Sequence, residues 1–368
     1  MTAAPAPADG PLGRHIRDLI AAAGPLRIDQ YMTEVLLHPV HGYYAQGRRV
    51  GAEGDFTTAP EISQMFGELI GLWLADRWQA MGAPAPVRLV ELGPGRGTLM
   101  ADILRALRVL PALGDALDLH LVESNRDFRT AQRDRGLPAT WHDTLDTVPA
   151  GPLLLIANEF FDALPIRQWL WLGSGWAERA VGLDKQTDRL VFTTLGADAD
   201  APPLPATPPP AGAIAERCPA AMAHAHAIAR RLARDGGAAL IVDYGYAGPG
   251  WGDTFQAVAA HRPVDPLTAP GAADLTAHVN FAALAHTARA GGAAALGPVD
   301  QGRFLDQLGL GLRAAALKAR ASAAQAAAID AAVARLTAPE QMGTLFKALA
   351  LTGPDAPVPP GFAAEPAR

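Results

Sequence analysis

Cysteine is almost absent from this chain of 368 residues, in which Cys218 is the only one. A single thiol cannot close a disulfide within the chain, and it cannot supply the several cysteine ligands of a structural zinc or iron–sulfur site. We therefore predict no metal, and chemistry on an iron–sulfur cluster is excluded.

Charge is also scarce. Charged residues make up 18% of the chain, below the roughly 25% of an average globular protein, and they leave a net charge of −6. A chain without a broad basic surface is a poor binder of nucleic-acid phosphates, so we expect no nucleic-acid partner. The hydrophobic residues, at 49%, are numerous enough for a sizeable core.

Long apolar runs are missing too. No segment of about 20 apolar residues is present that could cross a bilayer, and the start MTAAPAPADGPLGRH lacks the charged-then-apolar order of a signal peptide. These absences predict an enzyme that does not insert into a membrane and that resides in the cytoplasm.

From Val87 onward the chain alternates apolar strands with amphipathic helices. The pattern predicts strands at 87–92, 117–123, 139–141 and 153–157, with helices at 98–110 and 125–135. This alternation is typical of an α/β fold in which crossover helices connect a mostly parallel sheet.

The second half continues the pattern after an interruption. Short antiparallel strands are predicted between 169 and 195, and the proline-rich residues 196–212 predict a flexible surface loop. The alternation resumes with a helix at 213–234, the strand GGAALIVDYG, an Ala-rich helical stretch at 303–335, and strands near 293–298 and 344–351.

The segment VELGPGRGTLMADILRAL places three alternate glycines between the first of these strands and its helix. Gly93, Gly95 and Gly97 remove side chains where the backbone must approach a ligand at the carboxyl edge of the sheet. A dinucleotide fingerprint would need its third glycine at Thr98, and no Lys-Ser/Thr pair follows the loop. Pyrophosphate and P-loop binding are therefore disfavoured.

Acidic residues follow the strands at the same edge. Glu91, just before the glycines, suits a cationic or amine-bearing ligand such as S-adenosylmethionine (SAM), which has an ammonium, a sulfonium and no phosphate. Glu123 ends the second strand, where a carboxylate can accept two hydrogen bonds from a ribose diol. Asp143 follows the third strand, where it could accept from an adenine amino group or simply cap a helix.

The fourth strand, in LLLIANEFFDALP, carries the side chains best suited to catalysis. It delivers Asn158 and Glu159 to the edge where the methyl group should lie, with Phe160 and Phe161 beside them and Asp162 a turn further on. An amide or carboxylate there can orient a nucleophilic nitrogen, and aromatic faces can hold a cation. A capped strand end with phenylalanines in the core is the structural alternative.

Eight strings between about residues 10 and 352 together resemble the MidA-like family of SAM-dependent methyltransferases. They are GDFTTAPEISQMFGELIG, the glycine loop, HLVESN, ANEFFDALPIRQW, VDYGY, PGAADLTAHVNF, QGRFL and MGTLFKAL. The resemblance implies a class I methyltransferase (Rossmann-like) fold with a helical N-terminal addition and SAM as cofactor. Mitochondrial members are complex I assembly factors, which implies symmetric dimethylation of an arginine on a hydrophilic core subunit of complex I. The implied partner is this protein substrate, and a homodimer is one option.

The resemblance also implies roles for individual residues. The implied cofactor contacts are Glu91, Gly93, Gly95, Gly97, Glu123 and Asp143, with Asp55, Thr57, Pro60 and Gln64 closing the pocket. Asn158, Glu159 and Asp162 then face the acceptor.

The organisation expected on this basis has five parts. A helical segment at 1–85 covers the cofactor pocket, and the SAM-binding domain begins at 86–165. An inserted β and loop segment at 166–212 interrupts that domain, which continues at 213–352 with a helical insertion near 303–335. A flexible tail at 353–368 ends the chain.

The mechanism expected for an arginine acceptor follows from its chemistry. A guanidinium is effectively always protonated, so a carboxylate grip must localise its charge away from the attacking nitrogen and accept a proton as the new bond forms. Glu159 is the first choice, with Asp162 or Glu61 as its partner, while His278 and His261 are alternative bases.

Two other functions stay open at this point. One is a non-catalytic scaffold that uses a methyltransferase fold to escort an unassembled partner. The other is a nicotinamide-dependent dehydrogenase, which has a similar fold but needs the third glycine that this loop lacks.

Overall fold

The structure is a computed structural model that describes residues 10–46, 57–196, 200–204, 207–248 and 250–362. Contacts group the chain into two compact units. The larger consists of Thr57–Asp162, Ala221–Gly248 and Val279–Arg368, and the smaller of Met1–Phe56, Ala163–Ala220 and Pro249–His278. The domain boundaries expected from the sequence remain a prediction.

The described elements have the following bounds. The strands are β1 (Leu26–Arg27), β2 (Val87–Leu92), β3 (Leu117–Val122), β4 (Thr140–His142), β5 (Leu153–Asn158), β6 (Arg167–Trp171), β7 (Trp176–Leu183), β8 (Leu190–Leu195), β9 (Ile214–Arg217), β10 (Gly237–Tyr246), β11 (Gln256–Ala259), β12 (Arg262–Val264), β13 (Asp274–Thr276), β14 (Val279–Asn280), β15 (Ala294–Asp300) and β16 (Phe346–Thr352). The helices are α1 (Pro11–Ala23), α2 (Ile28–Leu37), α3 (Ala59–Ile62), α4 (Gln64–Ala80), α5 (Thr98–Leu107), α6 (Pro111–Ala116), α7 (Arg126–Asp134), α8 (Pro219–Asp235), α9 (Phe281–Ala290), α10 (Gln301–Gln307), α11 (Leu310–Lys318) and α12 (Ala323–Thr337).

The larger unit is built on one sheet with the order β15-β16-β10-β5-β2-β3-β4, to which β14 adds beside β10. Strands β10, β5, β2, β3 and β4 run parallel, whereas β16 is antiparallel to both of its neighbours. The α/β fold expected from the sequence is therefore confirmed, and its antiparallel strand lies near one edge.

The central strands are apolar because both faces of the sheet are covered. Every residue of β5 is buried, and so are all but the last of β10. On one face, α4 packs beside α5 through residues such as Phe66, Ile70, Trp73 and Ile103, all close to fully buried. This packing fixes the strand ends rigidly, as a binding site requires.

The smaller unit contains two sheets of its own. In the first, β7 pairs antiparallel with β1, β6 and β8, and β9 pairs with β6. The second is the three-stranded order β12-β11-β13. Helices α1 and α2 contribute Ile16, Tyr31 and Met32 to a core that also contains Val181 and Leu275.

The structure corrects part of the predicted secondary structure. The antiparallel strands expected between 169 and 195 are confirmed, but the helix expected at 213–234 begins only at Pro219. Residues Ile214–Arg217 form β9 instead, because their backbone pairs with β6. The Ala-rich stretch contains three helices, since Gly309 has a left-handed φ of 91° between α10 and α11.

Between 196 and 212, most of the described residues are exposed and none lies in a helix or strand, as expected for a surface loop. Residues 197–199 and 205–206 lie outside the described part, but the flanks can be followed. Pro209 is buried, and the Asp200 carboxylate accepts a hydrogen bond from Nη1 of Arg167 at 2.5 Å. Arg167 also donates through Nε to Glu178 at 2.7 Å.

This buried ion pair gives a stability prediction. Arg167→Met leaves the Glu178 carboxylate, 4% exposed, with the more distant Arg27 Nε at 3.7 Å, so unfolding should become easier by about 3–5 kcal/mol. Asp200→Asn alters the partner that is 71% exposed and should cost about 1 kcal/mol or less. Urea denaturation measures the stability that each variant loses. Equal losses would contradict the larger contribution assigned to the buried Arg167–Glu178 pair.

Candidate functional site

The site lies where the parallel strands of the larger unit end. In register, Leu92 of β2 pairs with Val122 of β3 and with Ala157 of β5, so these three strands finish at the same edge. The loops that follow carry the residues singled out from the sequence. The structure therefore brings together groups that are up to about seventy residues apart in the chain.

Glycine occupies the three loop positions for different structural reasons. All have left-handed φ values, of 62° at Gly93, 51° at Gly95 and 76° at Gly97. A Cβ would lie 2.8 Å from the Phe160 ring at Gly93 and 2.9 Å from Leu137 at Gly97, whereas at Gly95 it would meet no protein atom within 4 Å. Packing explains the outer two, and the space at Gly95 is open to a ligand.

Glu91 is buried at the end of β2, directly before the loop. Its Oε2 receives no hydrogen bond from the residues that the structure describes. Burial, and secondarily the nearby Glu123, raise the pKa of Glu91 to about 8. A buried acceptor without a donor suits a ligand that brings a cationic N–H group.

Glu123 lies at the corresponding place after β3. Burial raises its pKa to about 7, although backbone amides of Asn125, Gly95 and Ser124 donate to the carboxylate and oppose the rise. The Asn125 amide lies 2.8 Å from Oε1. The Gly95 amide joins this acid to the glycine loop.

Asp143, after β4, is an exposed residue. Its side chain is 79% exposed and pairs with Nη2 of Arg129 at 2.6 Å, while Nε of the same arginine donates to the Glu123 carbonyl at 2.5 Å. Arg129 thus ties the ends of β3 and β4 together. Asp143 can reach a ligand only at the solvent side of this edge.

Glu159 follows β5 and has a φ of 49°, a left-handed backbone conformation that is rare for residues other than glycine. Its Oε1 accepts hydrogen bonds from the Ala59 amide at 3.0 Å and from Nδ2 of Asn158 at 3.1 Å. Burial is the main reason that its pKa rises to about 8. Oδ1 of Asn158 is buried and has no donor within the described residues.

Two further carboxylates, those of Asp162 and Asp243, lie near Glu159. Asp243, at 0% exposure, accepts backbone N–H groups of Phe161 at 2.9 Å, Asp162 at 3.2 Å and Tyr244 at 2.9 Å. Its pKa is raised well above the ordinary value by burial and by the charges of Asp162 and Glu159. Asp243 therefore holds the backbone that carries both of the predicted acceptor-facing acids.

The short helix α3 bridges two sides of this edge. Its first residue, Ala59, donates to Glu159, and Oε1 of Glu61 accepts from Oγ1 of Thr98 at 2.7 Å, at the start of α5. Pro60 between them is buried. Glu61 is therefore already engaged in holding the glycine-loop helix.

The other residues expected at the site are described by their exposure and their place in the chain. Thr57 is half-buried ahead of α3, and Gln64 is an exposed residue that begins α4. Asp55 lies outside the described residues. His261 and His278, the alternative bases, belong to the smaller unit, where His261 is exposed in the turn between β11 and β12.

One supporting residue was not predicted. Gln132 of α7 has 0% exposure, and its Nε2 donates to the Gly95 carbonyl at 2.6 Å. A lone glutamine in the polar string RDFRTAQRD carries no sequence signal of burial, because its neighbours are typical of a solvated helix.

The donor-poor character of this edge fits SAM. Within the described residues, the acceptors Glu91 Oε2 and Asn158 Oδ1 have no donors, and Gly95 leaves open space beside the Glu123 carboxylate. An ammonium and a ribose diol would supply the missing donors. The sheet order and this edge together define a class I SAM-dependent methyltransferase.

The family is established by comparison with known proteins. A model of S-adenosyl-L-methionine-dependent methyltransferases, Methyltransf_28, matches residues 69–299. The protein arginine methyltransferase NDUFAF7 homolog, mitochondrial, of Drosophila melanogaster is 37% identical over 375 residues, 93% of this chain and 85% of that protein. The human protein arginine methyltransferase NDUFAF7, mitochondrial, is 37% identical over 338 residues, 82% of this chain and 74% of that protein. The chain belongs to this family of SAM-dependent methyltransferases.

Solved structures agree with the fold and the cofactor. A COG1565 superfamily protein from Burkholderia thailandensis bound to S-adenosylhomocysteine is 29% identical, with a TM-score of 0.80 over 98% of this chain and 96% of that one. A native structure of a COG1565 superfamily protein from the same organism gives 0.81. SAM is the cofactor, and the nicotinamide-dependent alternative is not supported.

The comparisons also correct the expected location. The cytoplasmic prediction is wrong, because the curated relatives are mitochondrial proteins by name. The sequence offered no positive sign of the cytoplasm, since that prediction rested on missing signals alone. Among the described residues, no helix combines the length and the apolar character needed to span a membrane.

A pair of glycine variants tests the open space at Gly95. Gly95→Ala and Gly236→Ala both place a methyl group on a left-handed residue with no protein atom nearby, so each should lose about 1–2 kcal/mol of stability. Gly236 precedes β10 at the opposite edge. Only Gly95→Ala should weaken S-adenosylhomocysteine binding, by about tenfold or more in calorimetry. Equal affinities in the two variants would exclude the loop as the cofactor site.

The buried acids predict an unusual pH dependence. Because the pKa values of Glu91, Glu123 and Glu159 are raised to about 8, 7 and 8, the folded chain keeps protons that the unfolded chain has lost. The free energy of unfolding without cofactor should therefore fall as pH rises from about 5 to about 8, and level off above. Urea denaturation at constant ionic strength measures this, and a rise across that window would contradict the buried, protonated state.

Proposed function

We propose that this enzyme methylates an arginine side chain of a protein. The proposal is supported by the relatives named as protein arginine methyltransferases and by one structural observation. That observation is the surplus of acceptor atoms around Asn158 and Glu159, next to the glycine loop. A guanidinium carries five N–H donors and no acceptor, so it complements this surface.

In this proposal the cofactor is held by the glycine-loop edge. SAM supplies an electrophilic methyl group on a sulfonium when bound. Glu91 faces its ammonium, Glu123 accepts from the ribose diol and Asp143 lies towards the adenine. The glycines at 93, 95 and 97 form the floor, and Thr57, Pro60 and Gln64 close the pocket, while the role implied for Asp55, outside the described residues, stays a prediction.

Glu159 is the proposed catalytic base, which binds the acceptor and takes up its proton. Both hydrogen bonds from Ala59 and Asn158 reach Oε1 and fix the carboxylate, and in this proposal Oε2 binds the incoming guanidinium. Oδ1 of Asn158 takes a second N–H group. Asp162 is the preferred partner, because one oxygen of Glu61 is already bound to Thr98.

The proton balance also favours Glu159. Each methyl group gained by a guanidinium nitrogen releases one proton, since the product keeps its positive charge. A guanidinium that binds beside Glu159 lowers the pKa of that acid from about 8 and makes it the carboxylate. The Glu159 carboxylate then accepts the proton that leaves the guanidinium.

The proposed acceptor protein is a hydrophilic core subunit of respiratory complex I, whose assembly the methylation would support. This part of the proposal rests on the resemblance to the MidA-like family. A separate part of the proposal is that this protein forms a homodimer.

Glu159→Gln is the sharpest test of the reaction. The amide oxygen can still accept from Ala59, but Nε2 then presents donors to the guanidinium, so transfer should fall about 10²–10³-fold while cofactor binding is retained. Glu68→Gln, which loses a carboxylate paired with Arg313 on α11, is the matched control and should keep its activity.

Mass spectrometry of the hydrophilic complex I subunits, from cells carrying each version, provides the readout. Full methylation with the glutamine variant would remove Glu159 from the mechanism. A parent enzyme that leaves no methylated arginine on any of these subunits would overturn the proposed acceptor and favour the escort role.

A further inference from the structure

Gln132 is fully buried, and both ends of its amide are hydrogen-bonded. Nε2 donates to the carbonyl of Gly95 at 2.6 Å, and Oε1 accepts from Nε1 of Trp141 at 2.7 Å. The side chain thus connects β4 to the middle of the glycine loop. Neither partner is a residue of its own helix.

The carbonyl that Gln132 binds belongs to the glycine with open space beside it. The amide of the same residue donates towards Glu123, so both polar backbone groups of Gly95 are occupied on the protein side. The next carbonyl, of Arg96, accepts from Nε of Arg135 at 2.7 Å. The loop carbonyls are therefore drawn towards α7, and the opposite side of the loop is left for the ligand.

Trp141 determines which end of the Gln132 amide faces the loop. Because an indole N–H can only donate, it selects Oε1 and leaves Nε2 for Gly95. The Arg133 guanidinium, 4.4 Å above the indole ring, holds that ring in place. The chain of contacts runs in one direction, from the indole through the amide to the loop.

We infer that Gln132 is a positioning residue for the cofactor, which holds the glycine loop in its binding conformation through the Gly95 carbonyl and is itself oriented by Trp141. The inference rests on SAM as cofactor and is independent of the acceptor. It predicts that a side chain without contact to the ligand controls its affinity.

The test is calorimetric binding of S-adenosylhomocysteine to the full chain. Gln132→Leu removes both hydrogen bonds, and Gln132→Glu places an oxygen against the Gly95 carbonyl, so both should weaken binding by about tenfold or more. Trp141→Phe keeps Gln132 but frees its amide to rotate, and should give a smaller loss. In the Gln132→Leu background, Trp141→Phe should add nothing.

Gln301→Leu is the matched control. Gln301 is likewise fully buried, and its Nε2 donates to the Leu336 carbonyl at 3.0 Å, so its hydrogen bond does not involve the glycine loop. It should lower the melting temperature without changing cofactor affinity. The inference is overturned if Gln132→Leu binds within about twofold of the parent, or if Gln301→Leu weakens binding equally. If Gln132→Leu fails to fold, Trp141→Phe decides alone, and unchanged affinity in that variant overturns the inference.

Discussion

Hydrogen-bond acceptors outnumber donors at the carboxyl edge of the parallel sheet, and the chemistry of this enzyme depends on that imbalance. Burial raises the pKa values of Glu91, Glu123 and Glu159, and Asn158 adds a buried oxygen to which no described residue donates. A surface of this kind is costly for the empty protein. It becomes favourable when a cation fills it, which is why SAM and a guanidinium are suitable occupants.

The surrounding fold keeps these acceptors from collapsing onto one another. Asp243 holds the backbone after Glu159 through two amides, those of Phe161 and Asp162, and Ala59 fixes one oxygen of the Glu159 carboxylate. On the other side of the site, Gln132 and Glu123 hold the Gly95 peptide unit. The site residues are thus held in place by hydrogen bonds to buried groups around them, which is the usual requirement of a preorganised site.

Much of this could be predicted from the sequence, for identifiable reasons. Apolar runs that end in Glu91, Glu123 and Asn158 indicate the parallel strands, and the alternate glycines indicate the loop at their edge, although packing explains the outer two glycines. The strand at Ile214–Arg217 was missed because its pairing with β6 is a tertiary effect that overrides helical propensity. Burial of Gln132 was also missed, since hydrogen bonds to a distant loop leave no periodic pattern.

The most direct test of this electrostatic design is the number of protons exchanged when S-adenosylhomocysteine binds. Calorimetry near pH 7, in two buffers with different ionisation enthalpies, gives that number. If the cofactor's ammonium replaces protons held by the buried acids, binding should release protons, and Glu91→Gln should reduce the release. No proton exchange, or uptake of protons, would show that the acids are already ionised and that the imbalance of acceptors does not determine binding.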